Sequence, residues 1–175
     1  MADPAQPGSQ PDTMQAPALA GLYGRAVPFR LAPRVDGAQT LAEFAAKSGL
    51  RPRQVVKSLL LELNGGGYAL LVAAGDRTAD FAALRRHFGV RSVRMADPEA
   101  VQRVTGYRIG RVTPLALATP DLPVLVDAAL VAEDEVSLGI GMPGQHVRLR
   151  GADLPAAVGG EPGEWTRAAR NGESG

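Results

Sequence analysis

Hydrophobic and polar positions alternate with two different periods along the middle of the chain and with none at its ends. Residues 1–20 carry four prolines (Pro4, Pro7, Pro11, Pro17) among scattered Gln and Ser, which predicts a disordered leader. Residues 159–175 are similarly rich in Gly and charge and predict a flexible tail, with Trp165 available to anchor a frayed end onto the core. The folded unit is therefore expected over 21–158.

Within that unit helix and strand signals interleave. Val27–Ala32 reads as an edge strand, interrupted by Pro28 and ended by Pro33. Thr40-Leu41-Ala42-Glu43 is a capping box that opens a helix stopped at Gly49. After Pro52, residues 54–63 are dense in Val and Leu and predict a central strand, which Asn64-Gly65-Gly66-Gly67 turns into a second apolar strand over 68–74. Phe81, Leu84 and Phe88 stand at helical spacing in a helix predicted over 78–88, with Gly89 as its stop. A short strand over 90–95 follows. Asp97 as N-cap, Pro98 at the first helical position and Gly106 frame another helix. Strands are expected over 122–126, 136–140 and 147–149, and a short helix closes the unit over 151–158. Hairpins mixed with helices, rather than strict strand–helix alternation, predict a mixed α/β fold of α+β character.

Composition narrows the chemistry. The 175 residues contain no Cys, which excludes disulfide scaffolds, Cys-ligated zinc and thiol nucleophiles, and only two His, which argues against a His-rich metal site. No cofactor or metal is expected. No apolar run approaches the roughly 20 residues that span a bilayer, and the start of the chain lacks a secretion signal, so a soluble intracellular protein is expected. The whole chain has a net charge of +1, but residues 21–158 hold 17 basic against 13 acidic side chains, a net of +4.

Lys57 is the most informative single residue. It sits inside the apolar run Val55-Val56-Lys57-Ser58-Leu59-Leu60-Leu61, in a chain with 17 Arg and only two Lys. A cation in such a run is costly unless paired or used, and a compact ammonium can donate to one oxygen from several angles. The alternative is an edge-strand lysine facing water. Gly110-Arg111-Val112-Thr113-Pro114 predicts a rigid turn whose backbone can face a ligand, or an ordinary loop. Gly139-Ile140-Gly141-Met142-Pro143-Gly144 admits either a close backbone approach to a substrate or a plain hairpin, and it matches no dinucleotide or P-loop fingerprint. Seven Arg and two acids between Arg85 and Arg111 leave +5 over 27 residues, with His87 and Tyr107 interleaved. That composition suits phosphate and a stacked base, or a solvated face. His146, Arg148 and Arg150 alternate with Val147 and Leu149, which places His146 on an exposed or cleft-facing side.

Taken in order, Gln54-Val55-Val56-Lys57-Ser58-Leu59, Leu84 to Gly89, Val93 to Pro98, Thr105-Gly106-Tyr107 with Gly110 to Pro114, Leu122 to Asp127, the glycine cluster and Ala152-Asp153-Leu154 resemble the YbaK/prolyl-tRNA synthetase-associated domain family. The resemblance covers nearly all of residues 27–158. It implies a mixed α/β fold with a curved mixed sheet flanked by helices. It also implies a cytoplasmic trans-editing aminoacyl-tRNA deacylase that hydrolyses the ester of a wrong amino acid, such as Ala or Cys, on a tRNA(Pro)-like substrate. Lys57 matches the family's functional lysine, and Gly110 and Pro114 match the ends of its G-x-x-x-P loop, so the resemblance assigns these three to catalysis. Thr113, Gly139, Gly141 and His146 fall at the aminoacyl pocket. Arg85, Arg86, Arg108 and Arg111 are the expected tRNA contacts. The implied partners are the acceptor end of an aminoacyl-tRNA and prolyl-tRNA synthetase, with no membrane. The chain departs from the family pattern at Gly139, where some members carry Ser, and at His146, where many carry an acid. A non-catalytic RNA-binding or synthetase-associated module on the same fold is the competing expectation.

Overall fold

In the computed structural model, residues 17–170 are described. Helix α1 (Pro17–Gly24) leads to β1 (Arg30–Leu31) and α2 (Leu41–Lys47). A 3-10 turn (Pro52–Gln54) opens β2 (Val56–Leu63), which is followed by β3 (Gly67–Ala74), β4 (Arg77–Ala79), α3 (Phe81–Phe88), β5 (Val93–Met95) and α4 (Pro98–Thr105). After a long loop come β6 (Val124–Asp127), α5 (Ala128–Val131), β7 (Val136–Gly139) and β8 (His146–Leu149). A second 3-10 turn (Gly151–Asp153), α6 (Leu154–Val158), β9 (Glu161–Gly163) and β10 (Thr166–Ala168) complete the order.

The strands form a five-stranded mixed sheet in the order β5-β2-β3-β6-β9, a three-stranded antiparallel sheet β1-β8-β7 and a β10-β4 ribbon. Strand β3 runs antiparallel to β2 and parallel to β6, and from Ala69 to Ala74 it is wholly buried. That explains its unbroken apolar run: a strand covered on both faces has no polar side to alternate with. Leu60, Leu70, Val72, Val124 and Val126 point to the larger core, shared with α1, α4, α6 and the inner face of β7–β8. Their neighbours Leu61, Leu71 and Leu125 point the other way, into a smaller core beneath α3 and Trp165.

Local signals account for most boundaries. The Thr40 hydroxyl accepts from the Glu43 N–H (3.1 Å), while Glu43 returns its bond to the Gln39 N–H (2.7 Å), one residue upstream of the expected box. Asp97 caps α4 through the Ala100 N–H (2.7 Å), and Gly106 ends it at φ +82°. The helix expected over 78–88 starts later, because Asp80 caps it and residues 77–79 pair with β10.

Two expectations change at the ends. The predicted leader overlaps a helix: Pro17–Gly24 forms α1, and Ala18, Leu19 and Leu22 are fully buried in the larger core. At Gly21 a Cβ would stand 2.7 Å from the Leu115 carbonyl oxygen, so the close approach of helix to loop needs glycine there. The predicted tail is also structured through residue 168. Strand β9 extends the main sheet beside β6, and β10 pairs with β4. The Thr166 hydroxyl donates to buried Asp127 (2.7 Å), and the Trp165 indole donates to the Glu161 carbonyl (3.2 Å). The remainder of both predicted segments, 1–16 and 171–175, lies outside the described residues.

If α1 belongs to the core, Leu22→Ala should lower stability by about 2–5 kcal/mol, the range for a buried leucine cut to alanine. Urea unfolding followed by circular dichroism measures this; a loss well under about 1 kcal/mol would detach α1 from the fold.

Candidate functional site

The site begins with strand register. In the β7–β8 pair Gly139 stands opposite His146 and Ser137 opposite Arg148. Directly opposed residues share a side, and the alternate residues Val136, Leu138, Val147 and Leu149 fill the larger core. Ser137, Gly139, His146 and Arg148 therefore line the other face. Helix α2 covers part of it. The Phe44 ring stacks on the His146 imidazole at 4.1 Å between centroids, and Arg148 donates to the Ser48 carbonyl (2.7 Å) and to Glu135 (3.2 Å).

Lys57 reaches this face through a single parallel bridge between Val55 and Ser137, which joins the entry of β2 to β7. Lys57 and Gly139 stand two residues further along their strands, on the side of Val55 and Ser137. The amine is half-buried, and its Nζ donates to the Gly75 carbonyl at 3.5 Å. Gly75 is held closely: a Cβ there would collide with the Leu41 side chain of α2 and with the Pro52 carbonyl. Burial pulls the Lys57 pKa below the usual lysine value, against the opposing pull of the Asp76 and Asp127 carboxylates.

His146 is neutral at physiological pH. Burial, reinforced by the Arg148 guanidinium, pushes its pKa down to about 4. Its Nδ1 lies 3.5 Å from the hydroxyl of fully buried Ser137. A Cβ at Gly139 would meet the His146 Cε1 at 3.7 Å, an ordinary contact, so glycine there leaves room above the imidazole rather than serving a backbone need.

The glycine cluster of residues 139–144 begins at the end of β7 and meets Tyr107, three residues ahead of the 110–114 turn. Gly141, at φ +83°, faces the Tyr107 ring so closely that a Cβ would stand 2.7 Å from its Cε1. Tyr107 leads into the loop, and burial raises its pKa. Gly110 is exposed at φ +82° with open space about it, so its requirement is conformational. Pro114 is buried and fixes the exit. Thr113, expected in the pocket, is instead fully buried with its hydroxyl accepting from the Leu115 N–H (3.3 Å); it braces the loop from within.

The arginine-rich stretch does not form one patch. Arg85 and Arg86 ride on α3 over the smaller core, whereas Arg108 and Arg111 follow α4, which packs on the larger core across the five-stranded sheet. Arg94 is tied to Glu62 (2.7 Å) and Arg103 to the Tyr68 hydroxyl (3.0 Å). All four expected contacts are exposed, but only Arg108 and Arg111 flank the glycine-proline turn. Two open cavities, of about 360 and 640 Å³, are present: an apolar groove around Tyr23, Phe29 and Leu31, and a polar cleft around Arg77, Arg86, Asp127 and Thr166, whose Asp127 carboxylate also acts on Lys57. Among the described residues no cluster of three or more His, Cys, Asp or Glu is arranged to hold a metal, and no helix is long and apolar enough to cross a membrane.

Sequence reasoning missed Phe44, Asp76, Asp127 and Ser137. The lone polar Ser137 in an apolar strand, two residues before Gly139, was the one available signal; Asp76, in the two-residue turn between β3 and β4, carries none.

His146 gives a pH signature. The folded imidazole titrates near 4 and the unfolded one near its ordinary 6.5, so between those values only the unfolded chain takes up the proton. Stability from this group is complete above pH 6.5 and declines to a floor near pH 4, a loss of roughly 3 kcal/mol. Urea unfolding at pH 7 and pH 4.5 should show the decline in the wild type and a smaller one in His146→Gln; parallel declines would contradict it.

The aminoacyl-tRNA editing domain family matches residues 35–157. The proline–tRNA ligase of Moorella thermoacetica is 34% identical over 105 residues, 57% of this chain and 18% of the ligase. The chain thus spans about a fifth of the length of the ligases it resembles. The uncharacterized protein YwhH of Bacillus subtilis is 32% identical over 66% of this chain and 72% of its own length. Among solved structures, a candidate trans-editing enzyme for prolyl tRNA synthetase superposes with a TM-score of 0.76 at 27% identity, over 92% of this chain and all of the other. The hypothetical protein APE2540 gives 0.78 at 27%, over 86% and 99%. By its matched residues and its fold, the chain belongs to the aminoacyl-tRNA editing domain family.

Proposed function

We propose that this protein is a trans-acting aminoacyl-tRNA deacylase that hydrolyses the ester of a mischarged, tRNA(Pro)-like substrate carrying a small amino acid such as Ala or Cys. The observation that carries the reading is the placement of Lys57: a half-buried ammonium on the face that Gly139 and His146 line. Action in trans is supported by the full-length alignment with the candidate trans-editing enzyme. With a tRNA as substrate, the cytoplasm is the proposed site of action and prolyl-tRNA synthetase the proposed partner.

The chemistry asks for little beyond positioning. A water, positioned by the site or by a hydroxyl of the substrate, adds to the ester carbonyl carbon and gives up a proton, the carbonyl oxygen takes up negative charge, and the intermediate collapses by expelling the ribose oxygen, which takes up that proton. The Lys57 ammonium and backbone N–H groups of the 110–114 turn are the proposed donors to the developing oxyanion. Gly110 supplies the left-handed bend and Pro114 the fixed exit that aim those amides. Gly139 and Gly141 leave space for the amino-acid side chain, and His146, neutral and stacked on Phe44, forms an uncharged wall of that space. An aminoacyl ester is already activated, so a site without a catalytic triad suffices.

A panel of tRNAs mischarged with Ala, Cys, Ser or Pro tests the assignment. Lys57→Ala should deacylate about 100- to 1000-fold more slowly than wild type while keeping its circular dichroism spectrum. Wild-type rates in that variant would refute the role of Lys57, and no turnover of any panel member by the wild type would favour a non-catalytic binding module.

Arg108 and Arg111 are the proposed phosphate contacts of the acceptor end. The double variant Arg108→Ala/Arg111→Ala should weaken tRNA binding and reduce the slope of log K against log salt by on the order of 1–2. An unchanged slope would return both to the solvated surface. Arg85 and Arg86, on the opposite side of the sheet, should change it little.

A further inference from the structure

The mechanism above leaves unused a half-buried carboxylate, Asp76, with one oxygen withdrawn from water. Asp76 follows Gly75, whose carbonyl receives the Lys57 Nζ, in the turn between β3 and β4. One of its oxygens, Oδ2, accepts from the Arg53 guanidinium at 3.1 Å. The other, Oδ1, is buried and has no hydrogen-bond partner. An unpaired carboxylate oxygen withdrawn from water costs free energy, and it is tolerated where a nearby cation or a function compensates.

We propose that Asp76 is a positioning residue for Lys57: with Oδ2 pinned by Arg53, its free oxygen holds the ammonium against the Gly75 carbonyl, on the face lined by Gly139. This deepens the proposed deacylase and rests on Lys57 being the working cation there. The surroundings of the amine fit the assignment. Asp76 is its stronger carboxylate neighbour and Asp127, from β6, the weaker. Asp127 is engaged by the Thr166 hydroxyl (2.7 Å) and by Arg77 (3.4 Å), which leaves Asp76 as the carboxylate with an unused oxygen. The other charged or titratable groups near this face are Arg53 on the 3-10 turn, Arg77 on β4, and His146 and Arg148 on β8. Arg148 is committed to Glu135 and the Ser48 carbonyl, and the imidazole is uncharged at neutral pH.

The composition makes a direct test possible. The chain has only two lysines, so reductive methylation with 13C-formaldehyde gives one resonance each for Lys47 and Lys57 beside that of the N-terminus. Titration of the folded protein in Asp76→Asn should move the Lys57 midpoint to lower pH and leave Lys47 in place, and Asp76→Glu should restore it. A Lys57 midpoint identical to wild type in Asp76→Asn overturns the proposal. If the Asn variant does not fold, Arg53→Met serves instead. Loss of that cation leaves the carboxylate whole for the amine, so the Lys57 midpoint should rise, and a midpoint that stays or falls overturns the proposal.

Deacylation is measured separately. With Lys57 as the working cation, Asp76→Asn should lose on the order of 10- to 100-fold in kcat with little change in KM, and its rate should decline from a lower pH on the alkaline side. A lowered Lys57 midpoint together with a full deacylation rate would leave Asp76 as the tether of Lys57 and refute the catalytic reading of the lysine, so the two failures are told apart.

Discussion

One backbone contact determines whether this molecule has a site at all: the parallel bridge between Val55 and Ser137. The five-stranded and three-stranded sheets pair nowhere else among the described residues. Because side chains alternate with a period of two, that bridge fixes which residues of the two strands look the same way. With the register as it is, Lys57 shares a face with Gly139 and His146 while Val56, Leu138 and Val147 share the core. A slip of one residue on either strand would bury the amine in hydrocarbon and turn valine or leucine outward. The apolar pattern on both sides of the bridge holds the register, so the core and the site are specified by the same constraint.

The electrostatics of that face follow from its partial burial. Withdrawal from water discourages charge on both Lys57 and His146, but the two have different neighbours. Asp76 and Asp127 oppose the loss of the lysine's proton, whereas Arg148 adds to the histidine's reluctance to gain one. The face thus holds the Lys57 ammonium beside one uncharged ring, while the Arg148 guanidinium on the same face is engaged by Glu135 and the Ser48 carbonyl. For the proposed chemistry that separation matters: the cation attracts the developing oxyanion, and an uncharged wall repels neither the substrate's α-ammonium nor the small side chain beside it. Phe44 contributes by stacking, which holds the imidazole flat over the space that Gly139 leaves open.

Much of this was legible in the sequence, for identifiable reasons. Strands β2 and β3 announced themselves because long apolar runs broken by Asn64-Gly65-Gly66-Gly67 admit few other structures. Helix α4 was legible through its caps, since Asp97 and Gly106 each answer a specific backbone need. Lys57 stood out because a cation in such a run must be explained. Helix α1 was illegible because Pro17 read as the last proline of a disordered leader, whereas it opens the helix whose Gly21 makes the close contact with Leu115. Strands β4, β9 and β10 are three residues each, too short for a period to register. The division of the arginines had no signal in the sequence either: which core a helix packs against depends on topology, so a run of seven cations reads as one patch until the sheet separates α3 from α4.

The choice of lysine over arginine at position 57 closes the physical account. This chain uses arginine for nearly every other basic position, and in several it does what a guanidinium does well: Arg30 grips both oxygens of Glu135, and Arg148 spans Glu135 and the Ser48 carbonyl. A planar fork needs two acceptors in fixed geometry. Beside Lys57 there is the Gly75 carbonyl and, near it, one unpaired carboxylate oxygen, with Leu41 and Pro52 closing off the space behind Gly75. An ammonium tolerates that asymmetry, because it can turn its three donors without moving its charge. A guanidinium there would keep its charge but leave donors facing hydrocarbon. The face is therefore shaped for a small, rotatable cation, and a transient oxyanion is the kind of single, moving acceptor that such a cation can follow.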